Sequence, residues 1–187
     1  MQELSLNILD ITMNGVAAGA DTIFITVEEE FPAMRIIIKD NGCGLPEETI
    51  EQLRDPFFTT RTTRKVGMGV PLFEMQAEMT GGNLKITSVE APAEGHGTTF
   101  EALLYMQSIN FVPLGDMVST MITLLQGSPN VDFIFTHKTQ GGTVHLDMRE
   151  VRETLGDVPV NEPDILMWLR SYLEEQYSET TLEGERL

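Results

Sequence analysis

Apolar residues recur at helical spacing between Glu3 and Gly19 (Leu4, Ile8 and Ile11, with Leu9 and Val16 beside them). This predicts an amphipathic helix that ends near Gly19. Asp10 and Asn14 stand four apart in it and so share one side. The period then shortens to two. "TIFITVEEE" (22–30) and "AMRIIIKD" (33–40) read as strands joined by a short turn containing Pro32. "PEETIEQL" (46–53) predicts a short helix with Pro46 at its first position and acids in its first turn. Residues 54–69 show no period and read as a long loop. "VPLFEMQAEMTGG" (70–82) predicts a helix closed by Gly81 and Gly82, and "NLKITSV" (83–89) and "GTTFEALLY" (97–105) predict strands around the loop "EAPAEGHG". This order predicts a mixed sheet with helices on one face.

After Tyr105 the pattern restarts. "GDMVSTMITLLQGSP" (115–129) predicts a helix with Asp116 in its first turn and Gly127 and Pro129 as stop signals. "VDFIFTHK" and "TVHLDM" predict strands around the turn "TQGG", and "NEPDILMWLRSYLEEQY" (161–177) predicts a helix capped by Asn161 with Pro163 in its first turn. The stripe Ile165, Trp168, Leu169 and Tyr172 is expected to pack on that hairpin, and the polar tail from Ser178 is expected to fray. The expected division is therefore residues 1–107 and a small αββα module over 108–187.

Charge narrows the function classes. The 187 residues carry 29 carboxylates against 12 lysines and arginines, a formal net charge of -17. That excess disfavours nucleic acid and anionic membrane as partners, which need a basic footprint. The single Cys43 rules out an internal disulfide framework. The amino-terminal stretch has no basic region ahead of an apolar one, and no apolar run is long enough to span a bilayer, so the expected location is cytoplasmic.

Three short stretches carry candidate chemistry. "DNGCG" (40–44) follows an apolar strand and places two glycines where the backbone turns or meets a ligand. "GMG" (67–69) opens the helix from Val70, whose unpaired N–H groups suit an anion. "GHGTTF" (95–100) brings small residues into a strand. Between them "RDPFFTTRTTRK" holds Arg54, Arg61, Arg64 and Lys65, a third of all cations in twelve residues of a very acidic chain. Such a local inversion of charge points to an anion, with phosphate the obvious candidate.

Asn14, "DNGCGLP", "DPFFTTR", "GMGVPL", "GGNLKITS" and "GTTF", taken in order over roughly residues 3–105, resemble the ATP-binding domain of the GHKL superfamily of gyrase, heat-shock chaperone, histidine kinase and MutL-type ATPases. The later motifs are most similar to sensor histidine kinases, and "NGVAAGAD…DNGCGLP" is also similar to the mismatch-repair branch. The resemblance implies an α+β fold: a two-layer α/β sandwich of the Bergerat (histidine kinase-like ATPase) type, with the C-terminal module appended. It implies ATP and Mg²⁺ as cofactors. Asp40 would accept from the adenine amino group, with Thr98 or Thr99 supporting the base and Gly42 and Gly44 letting the backbone pass close to it. Asn14 would bind Mg²⁺. Gly67, Met68 and Gly69 would line the phosphates, with Arg61, Arg64 or Lys65 above them.

Hydrolytic members carry Glu where this chain has Asp10, so the resemblance makes Asp10 a candidate general base one methylene shorter than usual. Gly15 departs from a more usual small polar residue. Histidine kinases also need a phosphoacceptor, normally upstream; with the motifs starting at residue 3, none is expected in this chain. The expected function is an ATP-dependent regulatory kinase or nucleotide-gated switch acting on a protein partner, with homodimerisation as an option. The alternatives are a slow ATPase of the mismatch-repair or gyrase type and a non-catalytic ATP-binding subunit of a larger, redox-enzyme-like complex. Elsewhere, His145 and Asp147 alternate on one hairpin face and read as solvated residues rather than a metal pair. Cys43 reads as a small packing residue, and Met75, Met79, Met117 and Met121 as core filling.

Overall fold

A computed structural model describes residues 3–54 and 69–184. The elements run α1 (Leu4–Ala17), β1 (Thr22–Glu30), β2 (Ala33–Asp40), α2 (Glu47–Gln52), α3 (Gly69–Met79), β3 (Asn83–Val89), β4 (Gly97–Tyr105), α4 (Met117–Gly127), β5 (Asp132–Thr139), β6 (Gly142–Asp147), α5 (Met148–Leu155) and α6 (Pro163–Gly184). The strands form one six-stranded sheet in the order β3-β4-β2-β1-β5-β6. Neighbours are antiparallel except β1 and β5, which run parallel from Thr22↔Asp132 to Glu28↔Lys138. The fold is therefore α+β with a mixed sheet, as the strand pattern predicts.

Period-two alternation builds the core. Ile23, Ile25 and Val27 of β1 are buried beside Ile36 and Ile38 of β2, Phe100, Ala102 and Leu104 of β4, and Phe133 and Phe135 of β5. Helices α1 and α3 pack on the β1–β4 half, α4 lies against α1, and α6 lies against α4 and β6. The opposite face holds Phe24, Arg35, Lys39, Lys138 and His145 in register and is more exposed.

The restart after Tyr105 marks a crossover within the sheet, because β5 and β6 continue the sheet begun by β1 to β4. The connector also reaches back to α1. The carbonyls of Pro113 and Leu114 accept from the N–H groups of Leu4 (3.1 Å) and Ser5 (2.7 Å), filling two of the vacant donors of the first turn. Asp116 is the N-cap of α4 and accepts from the Ser119 N–H at 2.8 Å.

Several expectations need correction. The segment 148–155 forms α5, which the pattern misses because it is short and strongly polar, with only Met148, Val151 and Leu155 turned to the core. Helix α6 continues past Ser178 to Gly184 rather than fraying. Pro46 is the N-cap of α2 rather than its first residue. In α6 the inward residues are Leu169 and Leu173, with Ile165 and Leu166 partly buried, whereas Trp168 and Tyr172 face outward. Met117 and Met121 fill the core as expected, but Met75 and Met79 are exposed. The β6 edge is closed by Gln176 of α6, whose amide accepts from the His145 N–H (2.8 Å) and donates to the His145 carbonyl (3.0 Å). Among the described residues no helix is long and apolar enough to cross a membrane.

Candidate functional site

Asp40 ends β2 on the helix-covered face, opposite Ile23, and its side chain is buried. Its Oδ1 accepts two backbone N–H groups, from Gly42 (2.9 Å) and from Thr98 (3.2 Å). Both bonds fall on one oxygen, and among the described residues Oδ2 receives none. Burial pushes the carboxyl pKa above the ordinary range, with the two backbone donors opposing the shift. A buried carboxylate with one oxygen open is an unfavourable arrangement unless a donor completes it.

The walls around this carboxylate are glycine because nothing larger fits. A Cβ on Gly15 of α1 would lie 2.9 Å from the Asp40 Cβ and 3.1 Å from the Ile23 Cδ1, which explains why a helix interior carries glycine here. Gly44 has φ +73°, and a Cβ there would lie 2.0 Å from the Val89 carbonyl oxygen. Gly42 packs against Ala18. Gly15→Ala is accordingly expected to destabilise the fold by about 1–3 kcal/mol, although alanine favours helix by roughly 1 kcal/mol. Chemical denaturation of the two proteins would check this.

Strand alternation separates the two threonines. Thr98 is buried beside Asp40, but Thr99 pairs with Lys39 and falls on the other face of the sheet, so Thr99 is no part of the site. The period set by Phe100, Ala102 and Leu104 already places Thr98 on the apolar face. Ser88 of β3 lies opposite Thr98; its hydroxyl donates to the Gly97 carbonyl (3.0 Å) and accepts from the Leu45 N–H (2.8 Å). Its only proton is thereby used, so the 2.8 Å contact between the hydroxyls has Thr98 as donor, leaving the Thr98 oxygen free to accept.

Two further residues hold the 40–44 loop, and neither stands out by composition. The Asn41 side-chain carbonyl accepts from the N–H groups of Asp21 and Thr22, both at 3.1 Å, and its amide donates to the Asp21 carboxylate at 2.7 Å. That amide, together with the Thr22 hydroxyl donating at 2.8 Å, holds the Asp21 carboxyl below its usual range. His96 Nδ1 lies 2.7 Å from the Gly42 carbonyl, which can only accept, so the proton sits on Nδ1. Cys43, between them, is exposed rather than packed.

Helix α1 links this cradle to α3. Gly15 touches Asp40, Asn14 is the next residue up the helix, and Asp10 one turn earlier lies against Gly69, where a Cβ would be 3.0 Å from the Asp10 Cβ. The Asp10 carboxylate therefore stands beside the first residue of α3, at the positive end of that helix. Asp40, Gly42 and Thr98 are thus joined directly with Gly15 of α1 against them, while Asp10 meets Gly69 further along the same helix and Asn14 lies in sequence between the two contacts. Arg61, Arg64, Lys65, Gly67 and Met68 lie outside the described residues. Arg54 is ion-paired with Glu74 of α3.

His145 and Asp147 are engaged by other partners. His145 Nδ1 bonds the Thr136 hydroxyl at 3.0 Å, and Asp147 caps α5 and pairs with Arg149. Among the described residues no group of three or more metal-ligating side chains occurs. Chemically, the site offers a buried acceptor for an amino group at Asp40. An amide, a carboxylate and a helix N-terminus stand further along α1.

A profile of the family described as histidine kinase-, DNA gyrase B-, and HSP90-like ATPase matches residues 1–108. Sporulation kinase C of Bacillus subtilis is 31% identical over 102 residues, covering 54% of this chain and 23% of that protein. The signal transduction histidine-protein kinase AtoS of Escherichia coli is 28% identical over 104 residues, covering 56% of this chain and 16% of that protein. The chain thus spans less than a quarter of the length of these relatives. In structure, the N-terminal domain of a DNA repair protein superposes on 79% of this chain and 53% of its own, with a TM-score of 0.56 and 14% identity. That likeness of fold runs past Tyr105 into the later elements. The catalytic domain of histidine kinase ThkA aligns with 54% of this chain and 64% of its own at a TM-score of 0.42 and 22% identity.

Proposed function

Because the chain belongs to the histidine kinase-, DNA gyrase B-, and HSP90-like ATPase family, we propose that it binds ATP with Mg²⁺ in the cytoplasm and uses it to act on a protein partner, as an ATP-dependent regulatory phosphotransferase. The observation that carries this reading is Asp40: a buried carboxylate whose Oδ1 accepts from Gly42 and Thr98 while Oδ2 receives no donor among the described residues. The donor set fits the nucleotide. Asp40 Oδ2 would accept from the adenine amino group, with the Thr98 oxygen beside it, and Gly42 and Gly44 keep the loop backbone pressed against Ala18 and Val89, where no side chain fits. Asn14 would bind Mg²⁺, which takes few protein oxygens and keeps its waters.

Bound ATP supplies an activated phosphoryl group, and the protein's contribution to such chemistry is positioning and charge neutralisation. Asp10 holds its carboxylate beside Gly69, on the same helix side as Asn14, where it would orient an attacking hydroxyl or water and accept its proton. Its side chain, one methylene shorter than that of glutamate, favours slow turnover over rapid hydrolysis.

Calorimetric titration with ATP tests this, in Mg²⁺ and in excess chelator. Saturable binding that weakens in chelator is expected. Asn14→Ala should lower the affinity in Mg²⁺ on the order of tenfold and remove most of the chelator effect. Absence of saturable binding by the native chain would sink the proposal.

A further inference from the structure

We propose that the outward face of α6 is a docking surface for a cationic amphipathic segment of a protein partner. The face is built around an aromatic pair. Trp168 is 51% and Tyr172 40% exposed, their rings stack with centroids 5.9 Å apart and planes at 20°, and Met167 beside them is 66% exposed. A stacked, ordered Trp–Tyr pair left in water is the kind of anchor that dominates protein interfaces.

The inner side of the helix fixes which residues face out. Leu169 and Leu173 are fully buried, Gln176 bonds the β6 backbone, and Arg170 reaches Ser119 of α4 at 3.3 Å. The helix therefore cannot roll to bury Trp168 without breaking those contacts. Helical spacing places Asp164, Ser171, Glu175 and Glu179 on the same outward side as Trp168, and all four are exposed. The one cation between Pro163 and Thr180 is Arg170, which is turned toward α4 and Glu174.

An aromatic centre with a carboxylate rim selects the occupant by charge. Arginine or lysine can lie over the Trp168 and Tyr172 rings and meet Asp164 or Glu175 at the rim, while apolar residues of the same segment cover Met167. A second copy of this chain would bring two acidic rims together, and an anionic membrane or nucleic acid would meet the same repulsion. The surface is separate from the Asp40 cradle, so this inference does not depend on nucleotide binding.

Trp168 is the only tryptophan in the chain, so its emission reports directly on this face. The full chain would be titrated with a synthetic peptide carrying Arg and Leu at helical spacing, and with the same peptide carrying Glu for Arg. The Arg peptide is expected to give a saturable change in emission that weakens with salt, and the Glu peptide none. Tyr172→Ala and the double variant Asp164→Asn, Glu175→Gln should each weaken binding on the order of tenfold. Trp168→Ala should do the same when a labelled peptide is followed by anisotropy. These side chains are exposed, so the variants should keep the native circular dichroism. Glu47→Gln with Glu48→Gln, which removes acids from α2, should leave binding unchanged. An unchanged Trp168 emission, equal weakening by the α2 variant, or self-association lost in Trp168→Ala would each overturn the proposal.

Discussion

Asp40→Asn is expected to remove most nucleotide affinity, on the order of ten- to a hundredfold, while leaving thermal stability at pH 7 unchanged or slightly higher. Asparagine keeps the shape, and its carbonyl oxygen can still accept from Gly42 and Thr98 in the place of Oδ1. The position of Oδ2 then carries an NH₂ group, which presents a donor where the proposed ligand also presents one. Stability should not suffer, because burial already disfavours the ionised carboxylate more than the two backbone donors favour it. Calorimetry with ATP and a thermal melt on the same samples would separate the two effects. Unchanged affinity would refute Asp40 as the base-binding group, and a large loss of stability would make it a structural residue instead.

The same carboxylate predicts a pH dependence. Its folded pKa lies above the ordinary value of 3.8. Between those two values the native chain binds more protons than the unfolded one, so this group's contribution to stability falls as pH rises through the window. Nucleotide affinity runs the other way. Protonation puts a hydrogen on the open oxygen, so ATP binding should weaken at a higher pH than an exposed aspartate would produce.

Ending the chain at residue 107 is expected to abolish the cooperative fold. Without β5, strand β1 becomes an edge, and Ile23, Ile25 and Val27 lose the cover of Phe133 and Phe135. Helix α1 loses α4 on its flank and the Pro113 and Leu114 carbonyls at its first turn. A buried aliphatic side chain contributes about 1.5–3 kcal/mol. Partial uncovering of β1 and α1 therefore approaches the roughly 5–15 kcal/mol that holds a typical domain together. The shortened protein should bind a hydrophobic dye, aggregate, and show no sharp melt by circular dichroism. A cooperative melt near that of the full chain would instead establish residues 1–107 as an independent domain.

What the amino-acid sequence determined by itself was local. Among the described residues, strand-like patterning marked all six strands, and helical spacing or end signals marked five of the six helices. The motif around Asp40 reads by itself as an ordinary turn after a strand, and it became legible only in series with the motifs at 67–69 and 95–100. Gly15 could be seen as an oddity in a helix, but its reason, the Asp40 side chain pressed against it, lies across the fold. Tertiary structure alone decided the rest. It joined β5 to β1 in one sheet, assigned Ser88, Asn41 and His96 to hold the loop, and turned Trp168 and Tyr172 outward. Periodicity states which residues of an element share a face. Which face is covered depends on partners far away in the chain, here α4 and β6 beneath α6, and no local pattern carries that information.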